Sequence, residues 1–376
     1  MHLPAYRPAA AAACARARAR ALLAAAGALL LSPGLSGCSV AYYAQAISGE
    51  ASMMHASRPV SDWLADPQTP EALRRRLELA ARIRAFASAQ LSLPENRSYT
   101  RYADLHRSSA VWNVFAAPAL SLTLKTWCYP FFGCAGYRGY FDAQEAQRAA
   151  DKLARDGLDT YVGPVPAYST LGWLPDPLLN TFIDWPEPEL ARLIFHELAH
   201  QVVYVRGDTR FNESFATAVE RAGVQRWVAA SGDPALREQV ERQRSRHDDL
   251  LRLVADTRER LAALYREPAP PGGADPRPAA KRAILEELPR RYERLRDERW
   301  EGYRGYDGFF ASPWNNARIA AMAAYNDDVP AFEALLAQQG GDMARFFDAV
   351  RRLAALDPGA RETALRGLGA TREAAR

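Results

Sequence analysis

The stretch HELAHQVVYVRGDTRFNESFATAVE, residues 196–220, sets two histidines and three glutamates into a run that is otherwise apolar and helix-permissive. His196 and His200 are four apart, which on a helix stacks them on one face, one turn apart. Glu197 follows the first histidine directly. The turn RGDTRF (206–211) contains a Gly-Asp pair that lets the chain reverse, so a second helix can carry Glu213 back towards the histidines, with Glu220 two turns further along nearly the same face. Either these side chains gather a metal ion or they form the wet face of an ordinary surface helix.

The residue types favour the first reading. Two imidazoles at this spacing can reach one zinc ion at about 2.0–2.1 Å. Glu197 is too displaced to bind the same ion but can hold a water beside it and act as the base. Glu213 is the candidate third ligand, and Glu220 is placed to accept a hydrogen bond from a ligand histidine.

The rest of the chain supplies context. Its 376 residues are 48% hydrophobic, 24% charged and 10% aromatic, enough for a sizeable core in more than one domain. Only Lys125, Lys152 and Lys281 are lysines among 48 basic residues, a bias of genome composition rather than a nucleic-acid footprint. No like-charge block and no RNA-binding signature occurs, so no nucleic-acid partner is expected, and no protein partner is indicated.

The N-terminus changes how the charge is read. Arg16, Arg18 and Arg20 precede ALLAAAGALLL (21–31), an apolar run too short to span a bilayer but suited to a signal peptide. LSGC (35–38) follows and resembles the lipobox of bacterial lipoproteins, which makes residues 1–37 a signal peptide and Cys38 the lipidated N-terminus. Cleavage there removes four arginines and no acid, taking the net charge from +4 to zero. Acyl chains on Cys38 would tether the body to a membrane, each buried methylene contributing about 0.8 kcal/mol. Ser39 after the cysteine favours, by resemblance to enterobacterial sorting, an outer-membrane lipoprotein facing the periplasm. Of the four cysteines, Cys128 and Cys134 remain, close together across a Pro/Gly-containing loop in WCYPFFGCAGYRGYF (127–141). In an oxidising compartment they read as a disulfide; a metal pair is less favoured because no second Cys or His pair lies nearby.

The expected architecture is α+β and mainly helical. TPEALRRRLELAARIRAFASAQL (69–91) reads as an amphipathic helix with Thr69 as its cap and Leu73, Leu77, Ile83 and Phe86 on its apolar face. Residues 92–140 read as short strands and turns of a small sheet, and AQEAQRAADKLARDG as a helix ended by Gly157. Two charged helices, about 234–266 and 278–300, flank PAPPGGADPRP and form an inserted, solvated hairpin over 231–300. Residues 38–230 are expected to hold the metal-site core and 301–376 to complete the cleft. His55, His106 and His247 are isolated and carry no assigned role.

HELAHQ followed by NESFATAVE resembles the gluzincin metallopeptidases, in particular the zinc aminopeptidases that carry HExxH and then NExFA. The spacing to the glutamate is shorter here by about a turn and a half of helix, and the Gly-Ala-Met-Glu-Asn strand of those enzymes is missing. A more extensive likeness is to a bacterial family of predicted zinc aminopeptidases, often lipoproteins. Its WC…GC…YRGYF, AYSTLGW…DPLL, FHELAHQ…GDT.FNESFA and NNAR segments recur here in order from about 95 to 330. The resemblance implies a gluzincin-like core in which His196, His200 and Glu213 bind Zn2+, Glu197 is the base and peptides are the substrate. It also implies an oxyanion donor C-terminal to the motif: Tyr303, Tyr306 or Tyr325, with Tyr325 favoured because it lies on the helix NNARIAAMAAY (315–325). Asn316 and Arg318, at the start of that helix, are expected to bind substrate. A zinc endopeptidase and a non-catalytic envelope lipoprotein stand as the alternatives.

Overall fold

The computed structural model describes residues 37–129, 133–268 and 271–374, without the side chains of residues 37–41, 324–326 and 370–374. The signal segment and the side chains of Cys38 and Tyr325 therefore lie outside the described residues. In chain order the elements are α1 (Gly37–Ala56), β1 (Arg58–Pro59), α2 (Val60–Ala65), α3 (Glu71–Leu91), β2 (Arg101–Ala103), β3 (Val111–Pro118), β4 (Trp127–Tyr129), β5 (Gly133–Ala135) and β6 (Arg138–Tyr140). They continue with α4 (Ala143–Arg155), β7 (Leu158–Val165), β8 (Leu178–Leu179), α5 (Glu187–His200), α6 (Thr209–Ser231), α7 (Pro234–Arg266) and α8 (Arg277–Arg299). The chain closes with α9 (Asp307–Phe310), α10 (Asn316–Asn326), α11 (Val329–Gln338), α12 (Met343–Ala354) and α13 (Pro358–Ala374). The fold is mainly helical with small sheets, and none of the described helices is long and apolar enough to cross a membrane. Residues 51–376 form one compact unit; of residues 1–50, the described part is helical from Gly37 onward.

The helical core is built on α3, α5 and α6. On α3 the buried side chains Leu77, Ala80, Ile83, Ala87 and Leu91 recur every three or four residues, while Leu73 and Phe86 pack against the core at its margin. Thr69 does not cap this helix. Its hydroxyl donates to Trp63 O (2.6 Å) and Pro70 occupies the cap position, so the expected cap is replaced by a tie to α2. Helices α11 and α12 close the core from the far side through Phe332, Phe346 and Phe347 around Phe215.

Three antiparallel strands in the order β6-β3-β7 form the larger sheet, with β3 in the middle. Successive side chains of β3 point to opposite faces. Val114 packs with Ala146 and Ala150 of α4, and Phe115 with Ala317 and Ala321 of α10. Helix α4 is capped by Asp142, which accepts from Glu145 N–H (2.8 Å). Cys128 and Cys134 lie opposite each other in the β4–β5 hairpin and are disulfide-bonded.

The charged segments do form a helical hairpin, but not one free in solvent. Leu250, Leu253, Val254 and Leu261 of α7 meet Leu285, Leu288 and Tyr292 of α8, and both pack with Trp300, Phe310, Trp314 and Ile319 into a second core. Salt bridges Lys281–Asp159 (2.6 Å) and Arg258–Asp327 (2.8 Å) fasten it to the sheet and to the end of α10.

Helices α5 and α6 approach closely at Gly223, where a Cβ would stand 2.6 Å from Phe195 Cδ2 and 2.9 Å from Leu91 Cδ1. Phe195 and Leu91 are fully buried and cannot swing aside. Gly223→Ala gains helix propensity of up to about 1 kcal/mol. It is nonetheless expected to lower the unfolding free energy by about 1–3 kcal/mol through overpacking. Chemical denaturation would measure the loss; an unchanged or raised midpoint would show that the crossing relaxes freely.

Candidate metal centre

Helix α5 begins after Pro186 with Glu187 and Glu189 in its first turn, acids that suit the positive end of the helix dipole. Leu190, Ala191, Ile194, Phe195 and Leu198 are buried on one side, which turns His196 and His200 to the opposite side. The chain then reverses through Gly207 (φ 78°). Asp208 caps α6 by accepting from Phe211 N–H (3.0 Å), a bond of a kind that contributes about 1 kcal/mol. Asn212 locks the turn from inside: its Oδ1 accepts from Val205 N–H (2.7 Å) and its Nδ2 donates to Val205 O (2.8 Å). Arg361 braces the cap from α13, donating to Asp208 Oδ2 at 2.9 and 3.0 Å. Beneath the turn lies the disulfide hairpin, where a Cβ on Gly133 (φ 80°) would come within 2.8 Å of Gly207 N. Only glycine fits there.

This scaffold brings three donor atoms together. His196 Nε2 and His200 Nε2 are 3.2 Å apart, His196 Nε2 and Glu213 Oε2 3.3 Å, and His200 Nε2 and Glu213 Oε2 3.7 Å. Among the described residues these three form the one cluster of metal-ligand types whose atoms converge in this way. A tetrahedral zinc ion with bonds near 2.0–2.1 Å needs ligand atoms about 3.3–3.4 Å apart. The His-His-Glu set fits.

Glu220 takes the outer position: its Oε2 lies 2.9 Å from His196 Nδ1 and 3.4 Å from Arg192 Nη1, and Arg192 is in turn paired with Glu189 at 2.7 Å. His200 has no such support, its Nδ1 being buried without a protein partner among the described residues. Burial works against charge at all three buried groups and is overcome at each. Glu213 is held down to about 2 by His200 and His196, and Glu220 is lowered by Arg192 and His196. His196 is pushed up to about 10 by the hydrogen bonds its ring donates to Glu213 and Glu220. A site that keeps its acids ionised and favours positive charge between them is suited to a cation.

Glu197 is half-buried beside His196. Its charge is felt by three groups from distant parts of the chain: Asp176, Tyr99 and Tyr137. Burial pushes the Asp176 carboxyl up to about 6, against hydrogen bonds from Thr170, with Glu197 adding to the rise. Burial likewise raises the Tyr137 phenol, and Glu213, Tyr204, Tyr168 and Glu197 raise it further. Tyr137, in the quoted YRGYF, was not singled out by sequence pattern; its place inside the WC…GC…YRGYF segment is the signal that could have found it.

Asn316 and Arg318 are both buried and engaged within the fold. Asn316 is fully buried: its amide donates to Pro118 O and Ala119 O at 3.0 Å and its Oδ1 accepts from Tyr265 OH at 2.7 Å. The Arg318 guanidinium lies over the rings of Trp314 (4.1 Å), Phe309 (4.5 Å) and Tyr161 (5.4 Å), and donates to Ser312 O (2.8 Å) and to Phe309 O. Both side chains are committed to seating α10 between the sheet and the hairpin. Tyr303 packs under Arg246, with the guanidinium 4.0 Å from its ring centroid.

Two helices that deliver a pair of imidazoles and a carboxylate to one point, with a further acid alongside, define a candidate divalent-cation centre. Residues 41–365 match the Aminopep family, described as putative aminopeptidase, and the chain belongs to that family. No curated protein and no solved structure matches the chain.

The Glu220 contact is open to direct measurement. Glu220→Gln removes the charge that orients His196 while keeping the side chain's shape, and it is expected to weaken metal affinity by about 10–100-fold. Competition with a chelator would measure this; an unchanged affinity would make the His196–Glu220 contact incidental to metal binding.

Proposed function

We propose that the protein is a zinc-dependent aminopeptidase of the cell envelope, with a gluzincin-like core. The convergence of His196 Nε2, His200 Nε2 and Glu213 Oε2 within 3.2–3.7 Å of one another, with Glu197 next to the first ligand, carries this reading. Zinc held there would supply Lewis-acid polarisation and make water a competent nucleophile near neutral pH. Glu197 takes a proton from the attacking water as its oxygen bonds to the peptide carbonyl carbon. It then returns the proton to the amide nitrogen as the C–N bond breaks, releasing the free amine and a carboxylic acid that loses its remaining proton to solvent or to the amine. His196 is held in the ligating tautomer by Nδ1–H donation to Glu220, and Arg192 keeps that carboxylate charged.

Charge building on the carbonyl oxygen calls for a donor. Tyr137 is one candidate: its ring packs against Phe115 of β3, and burial together with Glu213 and Glu197 raises its phenol, which keeps the hydroxyl protonated and able to donate. Tyr325 on α10 is the candidate suggested by sequence order. Loss of the true donor's hydroxyl is expected to reduce turnover on the order of a hundredfold. Tyr137→Phe and Tyr325→Phe would separate the two, and if both stayed within about twofold of wild type, neither would be the donor.

Glu197→Gln is expected to retain zinc and lose turnover by at least about 100-fold, since the base does not ligate, whereas Glu213→Ala is expected to lose the metal. Metal analysis with a panel of free-amine and N-blocked peptides tests the whole reading. Zinc close to one per chain and cleavage of free-amine substrates alone support an aminopeptidase. Cleavage of both kinds would indicate an endopeptidase, and absence of both zinc and activity a non-catalytic protein.

The envelope location rests on LSGC (35–38) and the apolar run before it. Lipidation of Cys38 would anchor the body to the outer membrane on its periplasmic side. Cys38→Ala is expected to abolish labelled palmitate incorporation and membrane attachment, and equal labelling of wild type and variant would exclude the anchor.

A further inference from the structure

Trp173 is 82% exposed, and its neighbour Leu174 is 42% exposed. Large apolar side chains displayed together mark contact surfaces more often than accidents of folding. Here the display is held in place. Leu171 (φ 57°) and Gly172 (φ 83°) are consecutive left-handed residues, a costly conformation for leucine that persists only where the surroundings enforce it.

The surroundings do enforce it. Trp173 N–H donates to Thr170 O (3.2 Å) and Leu174 N–H to Thr170 Oγ1 (2.9 Å), closing the turn. The Thr170 hydroxyl and N–H both donate to Asp176 Oδ1, at 2.7 and 3.0 Å. Asp176 is fully buried, and its backbone carbonyl accepts from Tyr99 N–H (2.7 Å). This commits the Asp176 carboxylate to shaping the turn, not to meeting a substrate amine.

The turn is also registered to the metal centre. A Cβ on Gly172 would stand 3.3 Å from Gln201 Cδ, so the backbone of the turn lies against the residue that follows the ligand His200. The Gln201 amide joins Asp176 Oδ2 (3.4 Å) to Ser98 Oγ (3.2 Å), and its Oε1 accepts from Asn96 Nδ2 (2.6 Å). Buried Arg84 of α3 fixes that segment in turn, donating to Ser98 O (3.0 Å), Pro94 O (2.6 Å) and Asn96 O (3.2 Å). Tyr204, 40% exposed, has its ring 6.4 Å from that of His200, so an exposed aromatic side chain borders that ligand.

We propose that the Thr170–Leu174 turn is the specificity element of the centre, with Trp173 the platform for an apolar side chain flanking the scissile bond. The occupant follows from the setting. The turn is braced on the residue next to a metal ligand, its tip presents Trp173 and Leu174, and the Thr170 hydroxyl and Asp176 carboxylate are engaged inside it. What it offers a substrate is chiefly the apolar area of the Trp173 ring and the Leu174 side chain. The preference is therefore for leucine- or phenylalanine-bearing peptides over alanine-bearing ones. This inference rests on the peptidase reading.

Zinc-loaded Glu197→Gln protein, which should bind without cleaving, is titrated calorimetrically with tripeptides that carry Phe, Leu or Ala on either side of the first peptide bond. It is expected to favour the Phe and Leu peptides, and adding Trp173→Ala is expected to shrink that preference by about tenfold. Trp173→Phe should restore most of it, and because the side chain is exposed, folding and zinc content serve as controls. A preference unchanged by Trp173→Ala, or binding weakened equally for all peptides, would overturn this inference alone. Failure of the protein to bind any of the tripeptides would overturn the peptidase reading as well.

Discussion

Everything at the centre depends on how closely α6 crosses α5. The four-residue spacing of His196 and His200 is a local property of one helix, but two imidazoles do not complete a site. Glu213 and Glu220 arrive only because the chain reverses within the eight residues after His200 and because Gly223 lets the second helix lie against Phe195. Desolvating Glu213, Glu220 and His196 together is unfavourable, and their mutual hydrogen bonds offset part of that cost. The remainder must come from the apolar packing of the same helices. Phe195, Phe211 and Phe215, from the two helices that hold the charged residues, are all fully buried. The core and the centre are therefore two faces of one helix pair.

The turn between those helices is specified more heavily than its length suggests. Asp208 caps it, Asn212 clips it to Val205, Arg361 reaches in from α13, and Gly133 of the disulfide hairpin touches it from below. A small rotation of α6 about its axis would carry Glu213 away from the two imidazoles, since side chains on neighbouring turns share a face only within a narrow arc. Four independent contacts at one end of α6 and a glycine at the crossing remove that freedom. In this light the bonded pair Cys128–Cys134 is a local brace for a surface that abuts the turn, consistent with a closed loop too small to constrain the unfolded chain by much.

How much of this was legible in the sequence follows from how far apart the interacting residues are. The α5–turn–α6 unit could be read because its signals are local: histidine spacing, a Gly-Asp turn, and acids on one helical face. The hairpin helices could be bounded by their flanking Pro and Gly residues, and α7 ends where expected, at Arg266. Thr69 looked like a cap by residue type, but tertiary structure used its hydroxyl on Trp63 O instead. The apolar stripe of the hairpin was hidden by charge density, since Leu250, Leu253, Val254 and Leu261 are a minority of α7. The contacts by which Asn316 and Arg318 seat α10 were not legible in the sequence. Their partners Pro118 and Tyr161, on strands, and Ala119, in the turn after β3, lie far back in the chain, and no local pattern reveals such a pairing.

The same distinction separates the two halves of the centre. The groups that would hold a metal and move protons come from one contiguous stretch, residues 196–220, whose geometry is fixed by helix periodicity and one turn. Tyr137 and Trp173, which in the proposed reading would meet a substrate, come from 133–141 and 166–176, segments of short strand and loop brought to the ligand helix and the turn after it by contacts such as Gln201 with Asp176 and Gly133 with Gly207. Loops of this kind can change length and composition without disturbing the helix pair beneath them. A chain built this way could keep the His-His-Glu cluster fixed while the loops beside it vary. The side chains of Tyr99, Tyr137 and Asp176, from distant segments, all feel the charge of Glu197.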